Sequence, residues 1–212
     1  MVYIPSHFAE PRQEVLADFI RDHNFGILVT AGAAGVTASH IPFLYDAEGG
    51  AHGTLWGHLA RGNSQLKDLG MGREALAIFE GPHGYITPRW YATHPAVPTW
   101  NYSIVHAYGT VEPIEDVSEL ERLVARLADH HEAGAAAPWR LADQPEKYRQ
   151  GMLRGISGFA IRVTRLEGKF KLSQNRDATD RARVVAALRA EGSIELADLM
   201  AKREAQNTTT VS

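Results

Sequence analysis

Phe25-Gly26-Ile27-Leu28-Val29-Thr30, a glycine-bearing turn over Ala31 to Gly35, and Val36-Thr37-Ala38-Ser39-His40-Ile41-Pro42-Phe43-Leu44 read as the two strands of one hairpin. Upstream the period is helical. Pro11 opens a pattern in which Val15, Leu16, Phe19 and Ile20 share one face, which predicts a helix over 12–23. Downstream, a turn over Asp46 to Gly50 leads to a strand at Gly53–His58. Asn63 then caps a short helix with Leu66 and Leu69 inward, and Glu74–Phe79 reads as a buried strand. A further strand carries Val105, Ala107, Gly109 and Val111, and a last one carries Phe159, Ile161 and Val163 toward Lys171. About six strands in meanders, without strand–helix alternation, predict a mainly β (α+β) antiparallel barrel with peripheral helices and argue against a doubly wound parallel sheet.

The helices fall outside this meander. Asp116 and Glu119 have the spacing of a capping box before a stripe of Leu120, Leu123, Val124 and Leu127. Residues 146–154 read as a short helix, and 178–204 carry two helical patterns separated by Gly192. The expected organisation is a barrel domain over 1–177, a C-terminal helical extension over 178–204, and a frayed polar tail over 205–212. Between Gly81 and Asn101 stand four prolines among His83, Tyr85, Trp90, Tyr91, His94 and Trp100. A long aromatic loop there is expected to be functional.

The chain has 212 residues and a net charge of −3, so nothing in its overall balance points to nucleic acid. It has no cysteine, which removes thiolate metal sites, iron–sulfur clusters and thiol nucleophiles. No run approaches the roughly 18 apolar residues of a membrane helix, and no signal peptide is legible at the start; a soluble cytoplasmic protein without membrane contact is expected. Phosphate-binding, dinucleotide, zincin and nucleophile-elbow motifs are all missing: Gly168-Lys169 continues into Phe170, and His131-Glu132 into Ala-Gly-Ala. Adjacent helical histidines such as His130 and His131 diverge by about 100°, and no metal site is expected.

Three stretches carry chemistry. Gly57-His58-Leu59-Ala60-Arg61-Gly62-Asn63-Ser64 joins a strand to a helix start, where free N–H groups and the forked Arg61 suit a phosphate; a simple Asn63 cap beside a surface arginine reads equally well. Val97-Pro98-Thr99-Trp100-Asn101-Tyr102 offers flat faces beside an amide, suited to a planar heteroaromatic ring or to ordinary packing. Glu167 to Arg176 is polar and cationic, and residues 161–190 hold eight basic against three acidic residues; a cofactor phosphate, a nucleic-acid backbone and a solvated face all fit.

Tyr3-Ile4-Pro5-Ser6-His7-Phe8, Ser39-His40-Ile41-Pro42, Gly57 to Asn63, Phe79 to Ile86, Val97 to Tyr102 and Gly168 to Arg176, in that order, resemble the PaiB family of FMN-binding negative transcriptional regulators. The resemblance covers the chain to about residue 190. It implies a split antiparallel β-barrel of the FMN-binding type and a homodimer with FMN at the subunit interface. Carried over by position, Ala38, Ser39 and His40 would lie along the isoalloxazine ring, and His58, Arg61 and Asn63 would hold the phosphate. Trp100, Asn101, Lys171, Ser173, Gln174, Asn175 and Arg176 would complete the pocket from one chain or the other. Ser64 stands where the family often has proline, and either residue suits a first helical turn.

The resemblance implies a transcriptional regulator with DNA as a partner, yet 178–204 shows no helix-turn-helix signature and carries Glu191, Glu195, Asp198 and Glu204. The alternative is an FMN-dependent oxidoreductase taking hydride from NAD(P)H, with His40 the residue that tunes the ring or delivers a proton. A haem-binding split barrel is the third reading, because the chain has ten histidines.

Overall fold

A computed structural model describes residues 2–33, 35–70 and 72–209. Ala34 of the hairpin turn and residues 210–212 of the polar tail lie outside the described residues. The elements run β1 (Ala9–Glu10), α1 (Gln13–Asp22), β2 (Phe25–Gly32), β3 (Gly35–Pro42), β4 (Leu44–Asp46), β5 (Thr54–Ala60), β6 (Glu74–Ile86) and β7 (Thr99–Ile114). There follow α2 (Val117–Glu132), α3 (Glu146–Leu153), β8 (Ile156–Lys171), α4 (Ala178–Ala190) and α5 (Ile194–Thr209). The strands hydrogen-bond in the order β3-β2-β6-β7-β8-β5-β4, with β1 beside β8. The hairpin pairs antiparallel as read, Phe25 against Pro42 through Gly32 against Gly35.

The chain divides into two compact units, one of residues 12–79 and 106–166, the other of residues 1–11, 80–105 and 167–212. In the first, period-two alternation sends Leu28, Leu55, Ala77, Phe79, Phe159 and Ile161 inward, all fully buried. Phe43 meets Phe79 and Phe159 edge-on at 5.4 and 6.4 Å between ring centres. The first and last parts of the strand order come together here. A Cβ on Gly57 of β5 would sit 3.2 Å from Ile41 of β3 and 2.9 Å from Phe159, so glycine lets the two strands close over the aromatic core. Outside it, α2 lays Leu123 and Leu127 on Leu44, Trp56 and Ile114. Its cap is the one the spacing suggests: the Asp116 carboxylate accepts from the backbone N–H of Ser118 and Glu119.

The second unit buries Phe8, Tyr91, Phe170, Leu172, Leu188, Leu196 and Met200. α4 and α5 are joined through Gly192, whose φ of +83° is a left-handed turn that a side chain would strain. The buried Asp180, in the first turn of α4, accepts from the N–H of Ala92 at 2.6 Å and Thr93 at 3.2 Å, fixing the aromatic loop to that helix. The buried carboxylate of Glu10 pairs with Arg203 of α5.

Two readings of the sequence are corrected. The loop expected over 81–101 is irregular only between β6 and β7, apart from a short 3-10 turn at Pro88–Trp90. Pro82 lies inside β6, where its carbonyl accepts from the Ser103 hydroxyl at 3.4 Å, and its missing N–H hides the strand from pattern reading. The helix expected after Asn63 is a five-residue 3-10 turn, Ser64–Asp68.

Candidate functional site

The hairpin β2–β3 has two unlike faces. Residues directly opposite share a face, so Leu28 and Ser39, and Thr30 and Thr37, point one way, while Ile27 and His40, Val29 and Ala38, and Ala31 and Val36 point the other. Ile78 and Leu76 of β6, opposite Ile27 and Val29, extend the second face by one strand. This outer face is apolar and open: Val36 is 76% exposed, Phe25 64%, and Ala38 and His40 are exposed beside half-buried Ile27 and Val29. His40 is its one ionisable side chain on the hairpin, set 6.5 Å from Phe25 in a stacked pose.

The inner face is polar at its centre. Asn63 donates from Nδ2 to the Ser39 hydroxyl at 2.9 Å, and its Oδ1 accepts from the Gln65 backbone N–H at 2.9 Å. Gln65, fully buried, donates from Nε2 to the Leu28 carbonyl at 3.1 Å, the Thr30 hydroxyl at 3.0 Å and the Thr37 carbonyl at 3.2 Å. The turn after β5 therefore grips both strands of the hairpin. Sequence reading missed Gln65; its only signal is a long amide two residues beyond a cap, where a solvent-facing side chain is the usual outcome.

His58, Arg61 and Asn63 sit in sequence on β5 and this turn. Arg61 is exposed, its backbone N–H donates to Gly155 O at 2.9 Å, and its guanidinium has no partner among the described residues. His58 shares a strand face with Trp56, which packs under α2. Burial pushes the His58 pKa below its ordinary value, so the ring is neutral at pH 7 and can donate a hydrogen bond without supplying a cation. Its buried Nδ1 and the buried Trp56 Nε1 have no protein partner, two polar atoms that water or a ligand would satisfy. The short 3-10 turn and the engaged Gln65 N–H leave the helix-dipole part of the phosphate expectation without support; the cation of Arg61 carries it.

The remaining expected residues gather in the second unit. Asn101, fully buried, donates from Nδ2 to the Ser173 hydroxyl at 2.9 Å and toward Met200 Sδ at 3.3 Å, while Ser173 donates back to Asn101 Oδ1 at 3.2 Å. Ser173 is a left-handed residue with φ of 65°, a conformation held by this pair and by the Arg176 N–H on its carbonyl at 2.9 Å. Gln174 accepts from the Leu172 N–H at 2.7 Å and donates to Phe170 O, and the Arg176 guanidinium lies 4.2 Å over the Tyr91 ring. Asn175 is exposed. Lys171 donates to the Thr99 hydroxyl and, at 2.5 Å, to the Trp100 carbonyl; burial first, and then the charge of Lys169, push its pKa down. Asn101 and Ser173 are thus a buried brace, whereas Trp100, Asn175 and Lys171 keep accessible atoms. Among the described residues no group of three or more His, Asp or Glu is placed to hold a metal ion. No described helix is long and apolar enough to cross a membrane.

A flat ring with a phosphate tail suits the first unit: an apolar sheet face with one imidazole, and a turn tied to that hairpin which carries an unpaired guanidinium. Comparison with known proteins gives the family and the cofactor. The family described as "Putative FMN-binding domain" matches residues 2–165. The chain is 33% identical, over 94% of its length and 96% of the relative's, to "Protease synthase and sporulation protein PAI 2" of Bacillus subtilis. Among solved structures it resembles the FAD and heme binding protein from Mycobacterium smegmatis (TM-score 0.60, 18% identity, covering 82% of this chain and 78% of that one). It also resembles the flavocytochrome Anf3 from Azotobacter vinelandii (TM-score 0.58, 15% identity, covering 85% and 78%). With the antiparallel strand order, these likenesses establish a mainly β split barrel. The chain belongs to the FMN-binding family of PaiB-type split-barrel proteins, and its cofactor is FMN.

Proposed function

We propose that the chain acts as an FMN-binding homodimer that regulates transcription according to the state of its flavin. The observation that carries the dimer is the open outer face of β2–β3. A ring laid along Ala38 and His40 would have one side on the strand and the other in water, and Val36, Phe25, Ile27 and Val29 would still be uncovered. Monomers rarely leave such a contiguous apolar face exposed. A second copy placed on it would bury both the face and the ring.

When bound, FMN supplies reversible electron transfer, and the protein supplies binding and orientation. Arg61 would pair with the phosphate in a forked geometry, and Asn63 and Gln65 would hold the hairpin in register. His40 would face the ring and would set the polarity at its edge. Size-exclusion chromatography with light scattering on wild type and Val36→Glu tests the dimer. The wild type is expected at twice the chain mass and the variant at the chain mass with weakened FMN; an unchanged variant would remove this face from the interface.

One observation favours a second reading, an FMN-dependent NAD(P)H oxidoreductase. Helix arginines that a DNA groove would need are already engaged: Arg181 with Glu204 at 2.5 Å, Arg189 with Asp198 at 2.8 Å, and Arg203 with Glu10. Selection of genomic DNA fragments on FMN-loaded protein, run beside an NADH-oxidation assay, separates the two. Enriched sequence without turnover supports the regulator, and FMN-dependent turnover without enrichment supports the enzyme.

A further inference from the structure

We infer that Lys169 and Lys171 form an anion site in the second unit, built for a phosphate-bearing ligand with a flat ring. The inference goes beyond the dimer reading, because every group involved lies within one unit of one chain.

The basic run of residues 161–190 is mostly spoken for. Arg162 pairs with Glu112 at 3.0 Å, Arg181 with Glu204 and Arg189 with Asp198. Arg165 and Arg176 lie over the rings of Tyr108 and Tyr91, and Arg183 donates to Trp90 O at 2.8 Å. Lys169 and Lys171 are left, and neither has a carboxylate partner among the described residues. They alternate on β8, so both side chains leave the same face about 7 Å apart along the strand.

Lys169 is only 8% exposed. Its ammonium donates to the Tyr3 carbonyl at 2.8 Å and lies 5.3 Å from the Tyr102 ring centre and 5.6 Å from that of Tyr3. A carbonyl and two ring faces offset part of the cost of burying a cation, but cation–π contacts are weak beside that cost, and a buried charge ordinarily takes a counter-ion. Beside it stands a second ammonium of the same sign. Nearby carboxylates are engaged elsewhere: Glu10 with Arg203, and Glu167 with the Val2 N–H at 3.1 Å.

The ring preference comes from the neighbours. Lys171 holds the carbonyl of Trp100, and that indole is 53% exposed, with His83 tilted 6.4 Å away and Tyr85 edge-on at 6.0 Å. An accessible aromatic platform beside two unneutralised ammonium groups recognises a stacked ring with an attached phosphate. With the FMN phosphate given to Arg61 of the other unit, the ligand these lysines suit is a second nucleotide such as a nicotinamide dinucleotide.

The test is calorimetric titration of full-length wild type, Lys171→Gln and Lys169→Gln with FMN, riboflavin and, on FMN-loaded protein, ADP-ribose. Circular dichroism confirms folding, and Lys171→Gln, on the more accessible lysine, serves if Lys169→Gln does not fold. A tenfold or greater loss for ADP-ribose with FMN unchanged is the expected result; a loss of FMN with riboflavin unchanged would give the lysines to the cofactor phosphate and overturn the second-nucleotide assignment. If FMN does not bind wild type at all, ADP-ribose alone decides by the same criterion. Folded Lys171→Gln that binds all three as wild type does, or that loses riboflavin and FMN equally while keeping ADP-ribose, overturns the inference.

Discussion

At Arg61 the chemistry is separable from the packing, because the guanidinium has no protein partner among the described residues and its removal disturbs no core. Arg61→Ala is expected to weaken FMN at least tenfold while leaving riboflavin, which lacks the phosphate, almost unchanged; fluorescence-quenching titrations of both ligands measure this. Equal loss of both ligands would take Arg61 out of the phosphate site. His58 makes a different prediction. Its pKa in the folded state lies below the ordinary value, so as pH falls the unfolded chain takes the proton first and stability is lost below about pH 6.5, down to the folded pKa. His58→Gln cannot take that proton, so its melting temperature is expected to fall less than wild type's between pH 7 and pH 5. Parallel curves would show that His58 titrates alike in both states.

At the scale of elements, glycines that admit close strand contact are the sensitive points. A Cβ on Gly109 of β7 would come within 2.2 Å of the Arg162 carbonyl oxygen, part of the β8 backbone, whereas on Gly57 it would meet side chains of Phe159 and Ile41. Side chains can turn aside and a paired backbone cannot. Gly57→Ala is expected to cost about 1–3 kcal/mol and Gly109→Ala distinctly more, both read from urea denaturation. A milder effect at Gly109 would mean that β7 and β8 can part locally. Arg203→Ala should destabilise, since it removes the guanidinium paired with the buried Glu10 carboxylate, and the loss should shrink in Glu10→Gln/Arg203→Ala, both read from the same denaturation. The elements themselves were largely legible: the hairpin, α1, α2 and β8 follow from periodicity, turns and caps. β4 and β1 escaped because three and two residues are too short to show a period. The first part of β7 and the end of β6 escaped because prolines and aromatics mask alternation. Of the candidate site, Arg61, Asn63 and Lys171 are expected from motif order alone. Gln65 and Lys169 are not, since only the fold shows that a glutamine and a lysine are buried.

For the whole molecule, the family resemblance leads one to expect the Ala38–His40 strand along the flavin, but the sequence does not show that the hairpin's outer face is open. That face becomes visible only when β2, β3 and β6 are placed side by side, with Val29, Ala38 and Leu76 in one row and Ile27, His40 and Ile78 in the next. This open apolar face is the ground on which an FMN-loaded dimer is proposed. The most direct measurement is sedimentation equilibrium of the FMN-loaded protein, monitored at the visible flavin band so that only chains carrying cofactor are weighed. Flavin absorbance distributed as a species of two chains, with one flavin per chain, is the expected result. Flavin sedimenting with a single chain, or free of protein, would contradict a cofactor held at the interface of two copies.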